Sequence, residues 1–250
     1  MTPLLLLGDS HCRAIVAAAQ EARFPLVGGM IGIAKLFTHG LFDRFEPVLR
    51  DGGLNPEAAA ALPRLMRTFA ERMGPTDLDA FRGRCVISIG MGSVHLVNSQ
   101  DWRRYDFGEA ANPRKHFISR AVLEIIASEL NGPSVEFVDR MASRGLLLAA
   151  AAGPPPMASQ RAVRHIGLAK VNQLADLYEA PTRAILAKHG VPLIAAEGVT
   201  DPQGLLLPEF SAGDNVHGNA AYGARLLQRI IDQLPQEERD AIRDGMKRAA

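Results

Sequence analysis

The 250-residue chain has little cysteine, few aromatics and no excess charge of either sign: two Cys, one Trp, three Tyr and a formal net charge of +1. Cys12 and Cys85 cannot build the disulfide framework on which small secreted domains depend, and their apolar or small neighbours suit buried free thiols. With 28 Lys and Arg against 27 Asp and Glu, there is no global field to hold phosphate backbones or anionic bilayers. Neither nucleic acid nor membrane is therefore an expected partner. No stretch approaches the roughly twenty apolar residues of a membrane-spanning helix. The start, through Leu4–Leu7 to Gly8, lacks the basic flank and cleavage site of a secretory signal, so a cytoplasmic location is expected. His39, His116, His165 and His189 show no metal-ligand spacing, and there is no His-Glu-x-x-His or paired Cys-x-x-Cys. No metal and no cofactor is expected.

What is present is ordinary globular composition, 47% hydrophobic and 22% charged. Leu4–Leu7 reads as a strand buried on both faces, stopped by Gly8-Asp9-Ser10. A helix should follow from His11 to Arg23, with Asp9 or Ser10 as its N-cap. Phe24–Val27 suggests a second strand, leading into the glycine-bearing stretch from Gly28 to Gly32. Asn55-Pro56-Glu57 marks a helix start, with the helix reaching about Arg72. Cys85–Ile89 is the next strand, running into Gly90-Met91-Gly92-Ser93. Residues 98–118 are polar, aromatic and irregular, long for a plain connection, and read as a lid over a site. A helix from Arg120 to Leu130 should end at the turn Asn131-Gly132-Pro133, with a short strand at Val135–Val138. Gly145–Gly153 holds another central strand. Residues 159–189 are helical by pattern, with a bend or break expected near Pro181. Val191–Ala196 is a last short strand, and Tyr222 to Leu234 gives the clearest helical stripe. Strands alternating with helices imply one three-layer α/β domain over residues 1–250, with a mostly parallel central sheet.

In such sheets ligands sit beyond the carboxyl ends of the strands. Ser10 lies at one such end, beside a helix N-terminus that favours developing negative charge. A serine hydroxyl needs a base to become a nucleophile. His217 is the candidate, with Asp214 one turn earlier to orient it. The competing reading makes Ser10 a helix cap and Asp214/His217 a surface turn ahead of the last helix.

The same residues resemble a known family. Leu7-Gly8-Asp9-Ser10-His11 is similar to the first motif block of the SGNH (GDSL-like) hydrolases, and Asp214-Asn215-Val216-His217 resembles their last block. The two blocks bracket nearly the whole chain. No Gly-x-Ser-x-Gly elbow is present, which disfavours a general α/β-hydrolase. The resemblance implies a flavodoxin-like fold and a serine esterase acting on a small acyl or acetyl ester, free or on a carbohydrate. Ser10 would be nucleophile, His217 base and Asp214 orienter. Its oxyanion hole would use the Ser10 N–H, a second-block glycine (Gly32, with Gly29 or Gly28 as register alternatives) and a third-block asparagine. Here the chain departs from the pattern, because Gly92 stands where that asparagine is expected. Ser93, His95 or Asn98 could substitute, and His11 reads as a flanking residue. The missing amide, about 2.7–4 kcal/mol of transition-state stabilisation, motivates one alternative, a non-catalytic module binding a carbohydrate or acylated ligand in the same cleft; another is an acyltransferase, which needs the same residues and differs only in acceptor. The lone Trp102, near Tyr105 and Phe107, reads as packing rather than as a stacking platform for bases.

Overall fold

The four consecutive leucines become the second strand of a five-stranded sheet in a computed structural model that describes residues 4–24, 26–30 and 85–249. The sheet strands are β1 (Leu4–Gly8), β2 (Leu26–Met30), β3 (Cys85–Ser88), β6 (Leu147–Ala151) and β7 (Leu193–Ile194), ordered β2-β1-β3-β6-β7 and all parallel. β4 (Tyr105–Phe107) and β5 (His116–Ile118) form a separate two-stranded parallel pair. Taken in chain order, the main sheet reads 2-1-3-4-5, the flavodoxin-like arrangement. Continuous apolar runs such as Leu4–Leu7 suit strands covered on both faces.

The pleat divides those residues between two helical layers. Leu4, Leu6, Val86, Ala149 and Ala151 share a core with α1 (Cys12–Glu21) and α6 (Ala220–Ile231), through Ile15, Ala18, Tyr222, Leu226 and Ile230. α1 and α6 meet backbone to backbone at Gly223, where a Cβ would lie 1.9 Å from the carbonyl oxygen of Ala14. The other layer is α3 (Arg120–Ser143) packed on α5 (Leu168–Lys188). Smaller pieces complete the described chain: α2 (Val94–Val97), α4 (Arg161–Ile166), α7 (Gln236–Ala249) and two 3-10 turns, Gln100–Arg103 and Pro208–Phe210.

Several sequence expectations need correction. The turn at Asn131-Gly132-Pro133 and the strand at Val135–Val138 do not form, because α3 runs through both. Proline costs a helix interior about 3 kcal/mol, but tertiary contacts hold this one together. The Asn131 side-chain amide donates to the carbonyls of Tyr178 (2.6 Å) and Gly90 (3.3 Å). Phe137, Val138 and Met141 are then buried at helical spacing. The break expected near Pro181 falls instead at Gly167, whose φ of 84° separates α4 from α5, while Pro181 stays inside α5. The second strand starts two residues late and takes in Gly28 and Gly29, paired with Leu6 and Leu7. Residues 98–118 are ordered by the Gln100–Arg103 turn and the β4–β5 pair. The terminal helix α7 was not read from the sequence. The helix expected after Asn55 lies outside the described residues, as does Gly32.

Candidate active site

The chain leaves β1 at Gly8 and turns into α1 through Asp9, Ser10 and His11. The Asp9 N–H donates to the Ser88 carbonyl on β3 (3.0 Å), and Asp9 Oδ1 accepts the His11 N–H (2.9 Å). Asp9 thus takes the role of local turn-former, and the His11 N-cap position carries no side-chain cap. Ser10 does not cap α1 either. Its Oγ lies 2.7 Å from His217 Nε2, across 207 residues of sequence.

His217 sits in the loop entering α6, and that loop is tied at several points. Ser211 bridges Gly218, and the Ala212 N–H donates to the His217 carbonyl (2.8 Å). Asn219 caps α6 by accepting the Tyr222 N–H (3.1 Å), while its Nδ2 donates to the carbonyls of Glu209 (2.7 Å) and Ser211 (3.2 Å). Inside the loop, Asn215 adopts φ 66°, which curls the chain around the Asp214 carboxylate. Oδ1 accepts the N–H groups of Val216 (3.0 Å) and His217 (2.8 Å), leaving Oδ2 at 2.5 Å from His217 Nδ1. One carboxylate oxygen is held by the loop and the other holds the ring. Partial burial opposes ionisation of Asp214, but the imidazole hydrogen bond and the two backbone N–H groups outweigh it and pull the carboxyl down to about 2. An ionised carboxylate on Nδ1 fixes the tautomer that leaves Nε2 free to accept a proton from Ser10.

Beside this triad opens a cavity of about 370 Å³. His11 and Gly92 line one side, Val216 another, and α5 supplies Asn172, Glu179 and Arg183. Gln160, at the α4 N-cap, also lines it and is buried with its Oε1 unpaired. Arg183 bridges Glu179 (2.8 Å) and Asp176 (3.4 Å). Burial raises the Glu179 carboxyl to about 7 despite the neighbouring guanidinium. This stripe of polar residues on α5, spaced at helical intervals, escaped the sequence reading. Its signal was present at 172, 176, 179 and 183, but nothing in the sequence said which α5 face meets the site.

The remaining candidates separate clearly. Gly28 and Gly29 lie within β2 rather than beyond its end. Gly92 lies in the loop after β3, and Ser93 begins α2 and also lines the cavity. His95 lies within α2, and Asn98 ends it. None of the cavity-lining residues comes from 98–118. Within that segment Trp102 is buried with Phe107, Val171 and Leu174, and its Nε1 donates to the Leu96 carbonyl (2.6 Å). Among the described residues, no cluster of three His, Cys, Asp or Glu side chains could hold a metal. No helix among them is long and apolar enough to cross a membrane.

No family model and no curated protein matches the chain. Among solved structures, it is similar to a protein from Bacteroides fragilis NCTC 9343 that has been provisionally assigned as an acylhydrolase. The two share 13% identity over 97% of this chain and 86% of that one, with a TM-score of 0.44. At that level of similarity no residue role or activity is carried over.

Proposed function

We propose that the chain is a serine hydrolase of a small acyl ester, free or borne on a carbohydrate, working through Ser10, His217 and Asp214 as in the SGNH family that its two motif blocks resemble. One observation carries the reading: the unbroken series from Ser10 Oγ to His217 Nε2 (2.7 Å) and from His217 Nδ1 to Asp214 Oδ2 (2.5 Å). A helix cap or a surface turn gives no reason for a serine and a histidine 207 residues apart to meet at hydrogen-bond distance.

In the reaction, Ser10 Oγ attacks the ester carbonyl while His217 Nε2 takes its proton, giving a tetrahedral intermediate and an imidazolium stabilised by Asp214. The intermediate collapses as the imidazolium passes that proton to the leaving alkoxide, which departs as the alcohol. Water then loses a proton to the same nitrogen and attacks the acyl-serine. Collapse returns the proton to Ser10 Oγ and releases the acid. A 370 Å³ cavity beside the triad suits a short acyl group and a compact alcohol. Transfer to a sugar hydroxyl uses the same residues and differs only in replacing water as acceptor.

The test is turnover of p-nitrophenyl acetate by wild type and by Ser10→Ala. Wild type should show a p-nitrophenol burst followed by steady hydrolysis, and Ser10→Ala should fall to the uncatalysed rate. Equal rates for both proteins would sink the assignment.

A further inference from the structure

We infer that the backbone N–H of Gly92 donates to the oxyanion, and that Gly153 and Thr182 are the positioning residues that aim it; the inference rests on the serine hydrolase reading above. When Ser10 Oγ bonds to an ester carbonyl carbon, the π pair of the C=O moves onto oxygen. That charge needs hydrogen-bond donors fixed in advance. A backbone N–H inside a fold normally has an acceptor. The Gly92 N–H meets none among the described residues, although Gly92 is half-buried and lines the cavity.

The direction of that N–H follows from its own peptide. A trans peptide points its C=O and N–H in opposite directions. The Met91 carbonyl, which shares the peptide, accepts the Gly153 N–H at 3.2 Å. Gly153 lies just beyond β6, so the Gly92 N–H points away from the β6 side of β3. The neighbour on the other side is β1, and the loop leaving β1 carries Ser10. That loop reaches Gly92. The atoms nearest a Cβ on Gly92 would belong to His11 (2.6 Å) and Asp9 (3.8 Å), the two residues that flank Ser10. Two clamps hold the peptide in this orientation. A Cβ on Gly153 would lie 2.7 Å from the Met91 carbonyl oxygen, so a larger residue there would push that carbonyl away. One residue upstream, the Gly90 carbonyl accepts the Thr182 hydroxyl (3.1 Å) and Asn131 Nδ2 (3.3 Å). Both side chains are buried, one on α5 and one on α3, and both converge on the turn that carries Gly92.

Variants assayed with p-nitrophenyl acetate and with its thionoacetate analogue test this. Sulfur is larger than oxygen and accepts hydrogen bonds more weakly, so a donor aimed at the oxyanion makes the enzyme favour the oxygen ester. Gly153→Ala should displace the Met91 carbonyl and turn the Gly92 N–H with it. We expect kcat on the oxygen ester to fall about 10–10²-fold with KM little changed, and the oxygen-to-sulfur rate ratio to narrow. Thr182→Val keeps the side-chain shape but releases the Gly90 carbonyl, and should lose at least about threefold in kcat with the same narrowing. Thr182→Ser, which keeps the hydroxyl, should stay near wild type. Full kcat in either Gly153→Ala or Thr182→Val, or a loss that leaves the oxygen-to-sulfur ratio unchanged, would overturn the inference. Should Gly153→Ala fail to fold in urea denaturation, the Thr182 pair decides alone. If Ser10→Ala abolishes turnover while Gly153→Ala does not lower it, only the donor assignment fails. If Ser10→Ala is as active as wild type, the hydrolase reading itself fails.

Discussion

At the scale of single residues, the proposed mechanism makes the Asp214 carboxylate the group that decides whether Ser10 can react. Its Oδ2 binds His217 Nδ1 at 2.5 Å and its Oδ1 is anchored by two backbone N–H groups. Asp214→Asn keeps an oxygen for the backbone but turns an N–H toward Nδ1, which favours the tautomer with the proton on Nε2. That nitrogen then cannot accept from Ser10, and kcat should fall by about 10³–10⁴-fold while KM changes little. A fall of less than about tenfold would show that Asp214 is incidental. The carboxyl is held near 2, below its ordinary value of 3.8. Its interactions therefore add stability above pH 4, and that contribution is lost as pH falls toward 2. Protonation of Asp214 is thus excluded as the cause of any activity loss between pH 4 and 7.

At the scale of elements, the site depends on how closely α1 and α6 approach, since one follows Ser10 and the other follows His217. Gly223 permits that approach, and Gly223→Ala would drive a methyl group to 1.9 Å from the Ala14 carbonyl oxygen. The variant should lose more than about 3 kcal/mol in chemical denaturation; a loss under about 1 kcal/mol would mean the helices can part freely. On α5, Glu179 adds a pH dependence of opposite sign to Asp214. Its carboxyl is raised from 4.5 to about 7, so the folded chain keeps a proton that the unfolded chain releases. Stability from this group is full below pH 4.5 and is lost as pH rises to about 7, by on the order of 2–3 kcal/mol. Glu179→Gln should remove that loss, as read from urea denaturation at pH 5 and pH 8; an unchanged difference between the two pH values would contradict it. The elements also show where the sequence was readable. Leu4–Leu7, Cys85–Ile89 and the α6 stripe announced themselves because burial demands continuous or periodic apolar residues. α3 did not, because contacts from Asn131 to Gly90 and Tyr178, far away in sequence, override a local proline signal.

At the scale of the whole molecule, the parallel sheet brings the two ends of the chain together: β1 delivers Ser10, and the loop before α6 delivers His217 to the same edge. The motif blocks made that meeting expected, because Ser10 and the Asp214/His217 pair each sit in a recognisable short spacing. The close packing of the His11 ring on Gly92, where a Cβ would lie 2.6 Å from Nε2, was not legible, since it depends on two loops that follow different strands. The central claim is that Ser10 is the reacting atom's owner. Incubation with a fluorophosphonate, followed by intact-mass measurement and peptide mapping, tests it most directly. The account predicts one adduct per chain, on the peptide containing Ser10, with none on Ser10→Ala. An adduct on another residue, or an unlabelled wild-type protein, would contradict it.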